Sequence, residues 1–254
     1  MFKWLRQKEK IVMPELEELT DSQVREQFPA NVENSTEFHD AVEKDETPSA
    51  TELSNIELYA PEQFNRLIND PEVVGWLSTE EQELLFSALL LFYSPEQTIL
   101  DVGCGRADLY GYLTKTFNSD FSSLYSGIDL NDNLIQIASN KFDNKVNIET
   151  VDLLSTTTDP THDWVVASGI FNLNDYPNMA DYVIQCVDHM YARAKIGVAF
   201  NLLTLIPEDL PEADQAALAS YLPGEWLEFF IQRYNKVICR ADYMLGDVTY
   251  FILK

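Results

Sequence analysis

The pattern of apolar and polar positions separates a weakly organised beginning of the chain from a strongly organised remainder. From Pro14 to Phe28, Leu16, Leu19, Val24 and Phe28 fall roughly on one side of a helix. Residues 29–55 then lose all periodicity and are polar, acidic and poor in large apolar groups. Such a stretch has too little to bury to offset its ordering entropy. It reads as a linker, or as an arm that orders only against a partner.

Pattern resumes near Ile56, and the first firm helix begins at Ser78, where Ser78 and Glu81 have the spacing of a capping box. Leu84, Leu85, Ala88, Leu89 and Phe92 give that helix an apolar face, and it stops before Pro95. The chain then alternates. Apolar runs at 98–102, 124–129, 146–151, 164–167 and 196–203 read as strands. Between them lie helices over 108–117, 132–142 and, after an Asn178 cap, from Met179 to Ala194. Residues 207–235 read as loop and helix. The end differs: 236–243 and 248–253, joined by a turn around Gly246, form a hairpin with no helix between its strands.

Strands joined by helical crossovers imply a parallel sheet covered on both faces, to which the hairpin adds one antiparallel strand. The expected fold class is therefore α/β, a doubly wound, Rossmann-like sheet of seven strands with the last antiparallel, preceded by an acidic N-terminal arm. The expected organisation is an arm over 1–60, a helical lead-in over 61–97 and the α/β domain over 98–254.

Charge narrows the partners. Across 254 residues, 42 acidic groups stand against 17 basic ones, a formal net charge of −25. Residues 1–60 alone carry 14 acidic and 6 basic groups. Proteins that grip nucleic acid neutralise phosphates with clustered Lys and Arg. The body of this chain has no basic run, so nucleic acid is disfavoured as a partner. Only the first ten residues reverse the sign, with Lys3, Arg6, Lys8 and Lys10 beside Phe2, Trp4 and Leu5. They could lie on an anionic membrane or a partner, but are too short and too charged for a signal peptide or a membrane span. Cys104, Cys186 and Cys239 form no CxxC pair, and His39, His162 and His189 stand far apart. Neither a disulfide framework nor a metal site is expected, and the simplest compartment is a reducing cytoplasm.

The chemistry concentrates in ILDVGCGRADLYGYL, residues 99–113. A strand ends at Asp101 and Val102, glycines follow at Gly103 and Gly105, and a helix opens within three residues. Glycines there let the backbone turn tightly and approach a ligand closely, and Ala107 continues the run of small residues. The next strand ends in Gly127-Ile128-Asp129, which places a carboxylate where ribose hydroxyls could donate to it.

From Asp101 to Ala107, and again at Asp129, the chain resembles the class I S-adenosylmethionine-dependent methyltransferases. The likeness extends over roughly residues 78–254 and includes the closing strand-turn-strand. ASGIFN (167–172) and RADYMLGDVTYFILK (240–254) look like segments of little-characterised bacterial and phage-type members. The resemblance implies S-adenosylmethionine as cofactor. Asp101, Gly103, Cys104 and Gly105 would shape the pocket for its methionine end, and Asp129, with Leu130, would hold the ribose. Asp152 would meet the adenine amino group beside the Leu153 N–H. Residues 167–172, Ser168 among them, would floor the methyl-transfer site. Asn172, Asp175 and Tyr176, on the loop after the fourth strand, are the candidates for assisting transfer.

Structural roles remain open for several of these. Asp101 could cap its turn, Asp129 could cap the next helix alongside Asp132, and Asp152 could be a solvated loop carboxylate. Phe171 and Tyr176 could be packing residues. Cys104 has no base beside it and reads as a small pocket filler. Asp242 and Tyr243 belong to the hairpin and have a structural reading too. The loop SGIFNL lacks the Asn/Asp/Ser-Pro-Pro-aromatic sequence with which amino-methylating DNA enzymes hold a flipped base, so a small molecule or a protein side chain is the expected methyl acceptor. The alternative is a methyltransferase-fold scaffold in a larger assembly, such as a viral particle, docked to a protein partner through residues 1–60. A nicotinamide oxidoreductase fits worse, because Asp108 stands where the third glycine of G-x-G-x-x-G would fall.

Overall fold

The computed structural model describes residues 78–254 apart from 157, 158, 160 and 207–209. The helix expected over 14–28, the arm and residues 61–77 of the lead-in lie outside the described residues. The chain divides into two units, 1–44 and 45–254, and the described residues belong to the second.

Seven strands form one sheet in the order β3-β2-β1-β4-β5-β7-β6. They are β1 (Ile99–Val102), β2 (Tyr125–Asp129), β3 (Asn147–Thr150), β4 (His162–Ala167), β5 (Ala194–Leu203), β6 (Val237–Arg240) and β7 (Asp247–Leu253). The pairs among β1 to β5 are parallel, and β7 runs antiparallel to both β5 and β6. The hairpin thus inserts its second strand between β5 and its first. The helices are α1 (Thr79–Leu89), α2 (Asp108–Phe117), α3 (Asp132–Lys141), α4 (Met179–Arg193), α5 (Glu212–Ala217) and α6 (Pro223–Tyr234).

Alternation along the strands sorts side chains into two cores. Leu100, Val165, Val198, Tyr250 and Ile252 pack with Val183, Val187 and Met190 of α4 and Phe230 of α6. Ile99, Trp164, Val166, Ala199 and Phe251 pack on the other side with Phe86 and Leu89 of α1 and Leu109 and Leu113 of α2. Strands covered on both faces need apolar residues at consecutive positions, which is why ILDV and HDWVVA read as near-continuous apolar runs. Burying one such Phe or Leu contributes about 1.5–3 kcal/mol.

Helix starts are fixed locally. The Ser78 hydroxyl accepts from Glu81 N at 3.1 Å, the Asn131 side-chain Oδ1 from Asn133 N at 3.0 Å, and the Asn178 side-chain Oδ1 from Asp181 N at 3.3 Å. Helix α2 differs: its N-cap, Ala107, has φ 54° and makes no side-chain cap bond. The strand expected from Ile196 begins at Ala194, because α4 runs into β5 with no loop between them.

Candidate active site

Parallel strands deliver their loops to one edge of the sheet, and a cavity of about 580 Å³ lies beyond the carboxyl ends of β1, β2, β4 and β5. Its size falls within the range of roughly 300–1,000 Å³ usual for small-molecule sites. The glycine loop after β1 forms one wall. Gly103 and Gly105 have φ of 70° and 52°, and Ala107 at 54° continues the left-handed run into α2. A Cβ built on Gly103 would come within 2.1 Å of Ile170 Cγ2, so only glycine fits between the loop and the segment after β4. Gly127 performs a similar service from β2: a Cβ there would lie 2.8 Å from the Cys104 side chain.

Asp129, at the end of β2, turns toward the loop. One carboxylate oxygen accepts from Gly105 N at 2.8 Å and the other from Asn131 N at 2.8 Å. It does not cap α3 directly; Asn131 does that, and Asp129 holds the peptide that carries the cap. Each carboxylate oxygen retains a lone pair for a further donor. Leu130 beside it is exposed at the cavity rim.

Asp101 lies buried beneath the loop and accepts from the Tyr125 hydroxyl at 2.7 Å. Burial pushes its carboxyl up to about 7, against the lowering effect of the Tyr125 bond and with further upward push from Asp129 and Asp108. Burial likewise drives the Cys104 thiol far above its ordinary value, with the carboxylates of Asp101 and Asp129 adding to it, which leaves an inert wall residue. Arg106, 2% exposed, donates to Asp108 at 2.9 Å, and Lys141 pairs with the other oxygen of the same carboxylate. Burial raises the Asp108 carboxyl, but the two cations outweigh it and hold the group below its usual range.

The wall after β3 carries Asp152 and Leu153. Asp152 is exposed and accepts from Leu154 N at 2.9 Å, starting a short 3-10 turn, whereas Leu153 is buried. After β4, Ser168 and Asn172 line the cavity, and both the Ser168 hydroxyl and the Asn172 side-chain oxygen are buried without a hydrogen-bond partner. Buried polar atoms are rarely left so, and these two lie beside the cavity, from which water or a ligand can complete the set. Asp175 and Tyr176 lie further along that loop, both exposed, with the Tyr176 ring stacked 3.8 Å from Tyr182. Phe171 is fully buried and packs edge-on to Phe200, a core residue.

A second set of polar residues is assembled only by the fold. Asn201, 0% exposed within the apolar strand β5, accepts from Gly169 N at 2.9 Å and donates to Asp247 at 3.0 Å. Asp247, also on the cavity wall, accepts from the Tyr243 hydroxyl at 2.6 Å, and that hydroxyl lies 2.8 Å from Thr249. Burial pushes the Asp247 carboxyl up to about 6, opposed by its bonds from Tyr243 and Asn201. Tyr243 is thus structural, as its hairpin position suggested. Asp242 pairs with Arg240 at 2.6 Å. Sequence reasoning passed over Asn201 and Asp247. The available signal was a lone amide inside GVAFNLL and a lone carboxylate opening DVTYFIL, since polar groups inside buried strands need partners.

No protein-family model matches the chain. Over 168 residues it is 28% identical to Rv1506c of Mycobacterium tuberculosis, a protein provisionally named a methyltransferase; the match spans 62% of this chain and 93% of that one. Among solved structures, magnesium protoporphyrin IX methyltransferase from Synechocystis PCC 6803 with bound SAH superposes with a TM-score of 0.54 at 11% identity, covering 76% of this chain and 93% of the other. An SAM dependent methyltransferase from Archaeoglobus fulgidus superposes with a TM-score of 0.50 at 16% identity, covering 76% and 99%. These likenesses establish the fold.

Proposed function

We propose that this chain, whose fold is that of the class I S-adenosylmethionine-dependent methyltransferases, is an enzyme that transfers a methyl group from S-adenosylmethionine to a small molecule or a protein side chain. The observation that carries the reading is the clasp between Asp129 and Gly105 N at 2.8 Å, which sets a carboxylate and a close-approach glycine loop on the same cavity wall. The named relative and the solved neighbours support it.

When bound, S-adenosylmethionine supplies an electrophilic methyl group on a sulfonium. The residues present suit it. Gly103 and Gly105 leave the backbone bare for close approach, and the buried Asp101 stands beneath them to complement a cationic amino group. The lone pairs left on Asp129 accept from ribose hydroxyls. Asp152 and the Leu153 backbone stand where an adenine edge would be read. Ser168 and Asn172 floor the transfer site, and their unsatisfied oxygens accept from whatever nucleophile is presented there. Displacement at a sulfonium requires alignment above all, and positioning alone accounts for much of such a rate. Asp175 and Tyr176, on the cavity wall, are the candidates to assist where the acceptor must shed a proton.

Calorimetric titration of the purified chain with S-adenosylhomocysteine tests this. Saturable one-to-one binding that Asp129→Ala weakens is expected; absence of binding at millimolar ligand would defeat the proposal. The scaffold alternative depends on residues 1–60, which lie outside the described residues. Among the described residues no helix is long and apolar enough to cross a membrane.

A further inference from the structure

The cavity continues past the glycine loop into a chamber whose walls are built from leucines on three separate segments. Leu173 and Leu218 face each other across an isolated antiparallel bridge, reinforced by Asn174 N to Ala217 O at 2.8 Å and Ala219 N to Asn172 O at 2.9 Å. Leu205, after β5, is held against the hairpin turn: Thr204 N donates to Gly246 O at 2.8 Å, and a Cβ on Gly246 would lie 3.4 Å from Leu205 Cβ. Leu210, Met244 and Leu245 complete the wall.

Three of these side chains stay open to solvent: Leu173 is 49% exposed, Leu205 50% and Leu245 90%. Grouped around one cavity mouth, exposed leucines mark a binding surface, and an apolar ligand is what would cover them. The charge around the cavity is acidic. Asp129, Asp152 and Asp175 line it beside Asp101 and Asp247, which burial makes weaker acids, while Arg106, the cation among the described lining residues, is paired with Asp108. An acid or a phosphate ester entering here would meet repulsion with no Lys and no other Arg among the described lining residues to receive it, whereas an amine would be drawn in.

We infer that the methyl acceptor is an apolar amine, a small molecule whose hydrocarbon body lies against Leu173, Leu205 and Leu218 and whose nitrogen reaches the floor at Ser168 and Asn172. The inference rests on the methyltransferase reading and names the acceptor class for it. An ammonium arriving from water gives its proton back to water at the exposed mouth beside Asp175. The neutral nitrogen's lone pair then forms the new N–CH3 bond as the S–CH3 bond breaks and its electron pair stays on sulfur. An uncharged amine and a sulfonium become a methylammonium and a thioether, so charge and atoms balance. The unsatisfied Asn172 oxygen accepts an N–H of the amine and aims the lone pair.

The test is calorimetry on the full chain saturated with S-adenosylhomocysteine, titrated with hexylamine, octylamine and decylamine and with octanol, octanoate and octyl phosphate. Turnover of the same series with S-adenosylmethionine is followed as S-adenosylhomocysteine release. Octylamine should bind and be methylated, octanol should be weaker, and octanoate and octyl phosphate should not bind. Each added methylene should tighten the amine by up to about fourfold where it is fully buried. Leu205→Ser and Leu173→Ser alter exposed positions, so folding is spared; each should weaken octylamine about tenfold while leaving S-adenosylhomocysteine affinity unchanged. Asp175→Asn should narrow the preference for octylamine over octanol by about three- to fivefold. If octanoate or octyl phosphate binds as well as octylamine, if chain length has no effect, or if the leucine variants bind octylamine normally, the acceptor assignment is overturned with cofactor binding intact. If S-adenosylhomocysteine itself is not taken up, the methyltransferase reading fails first and the acceptor assignment with it.

Discussion

The two halves of the cavity are built by different means. On the side of β1 and β2, the wall is mostly backbone: Gly103, Gly105 and Ala107 with positive φ, and a carboxylate from the adjoining strand holding the loop by a peptide N–H. On the side of β5 and β7, the wall is mostly side chain, with leucines from three segments and a buried Asn201–Asp247–Tyr243 network behind them. A backbone-built wall tolerates almost no change of residue type and serves one ligand. A wall of side chains can be recut without disturbing the sheet, which suits the half that distinguishes one acceptor from another.

The sharpest way to break this contrast is at Gly103. A methyl group there meets Ile170 Cγ2 at 2.1 Å and must sit at φ 70°. Gly103→Ala should cost about 1–2 kcal/mol for the left-handed backbone and about 1–3 kcal/mol for overpacking. Urea unfolding measures the loss, and S-adenosylhomocysteine binding should vanish in whatever remains folded. Adding Ile170→Ala should restore much of the stability and little of the binding. On the other wall, Leu205→Ser should leave the unfolding midpoint nearly unchanged, since Leu205 is already half exposed.

Asp129→Ala comes next. It removes the acceptor for Gly105 N and Asn131 N, and with it the ribose contact proposed above. Hydrogen bonds to a charged group are worth about 1.5–3 kcal/mol each, so affinity for S-adenosylhomocysteine should fall about a hundredfold by calorimetry.

Asp101 and Asp247 give each half a pH signature. Their carboxyls are pushed up to about 7 and about 6 from an ordinary 3.8, chiefly by burial. The folded state therefore holds these protons more tightly than the unfolded chain does. Their favourable contribution is complete below pH 4 and is lost as pH rises through 6 and 7. Asp101→Asn and Asp247→Asn should each flatten the fall in stability between pH 4 and 8, Asp101→Asn more so. Denaturant melts across that range would show it, and a slope unchanged in both variants would contradict the burial argument.

The smallest effect is expected at Ala107, fully buried at φ 54° without a side-chain cap. Ala107→Gly relieves the left-handed strain but forfeits a buried methyl, so stability should change by less than about 1 kcal/mol.

What the chain disclosed in advance follows the same division. The near-continuous apolar runs ILDV and HDWVVA, the helix caps Ser78 and Asn178, and the closing hairpin around Gly246 are local patterns, and they foretold the sheet and its last, antiparallel strand, though not that strand's insertion between β5 and β6. The glycine loop was equally legible, because its chemistry occupies neighbouring residues. The acceptor wall was not. Leu173 and Leu218, or Asn201 and Asp247, are brought together by chain folding over 45 and 46 residues of separation, and no spacing rule links them. Asp152 was placed at the cavity by its position after β3, yet its bond to Leu154 N is visible only in three dimensions. Asn131, which caps α3 where Asp129 or Asp132 had been the candidates, shows the same limit: three neighbouring polar residues compete, and the turn geometry chooses.

A crystal structure of the chain grown with S-adenosylhomocysteine tests the central claim most directly. The account predicts the nucleoside across the Gly103–Gly105 loop, both ribose hydroxyls within hydrogen-bonding distance of the Asp129 carboxylate, and the sulfur facing Ser168 and Asn172. Electron density for the ligand elsewhere, with Asp129 still bonded only to Gly105 and Asn131, would contradict it.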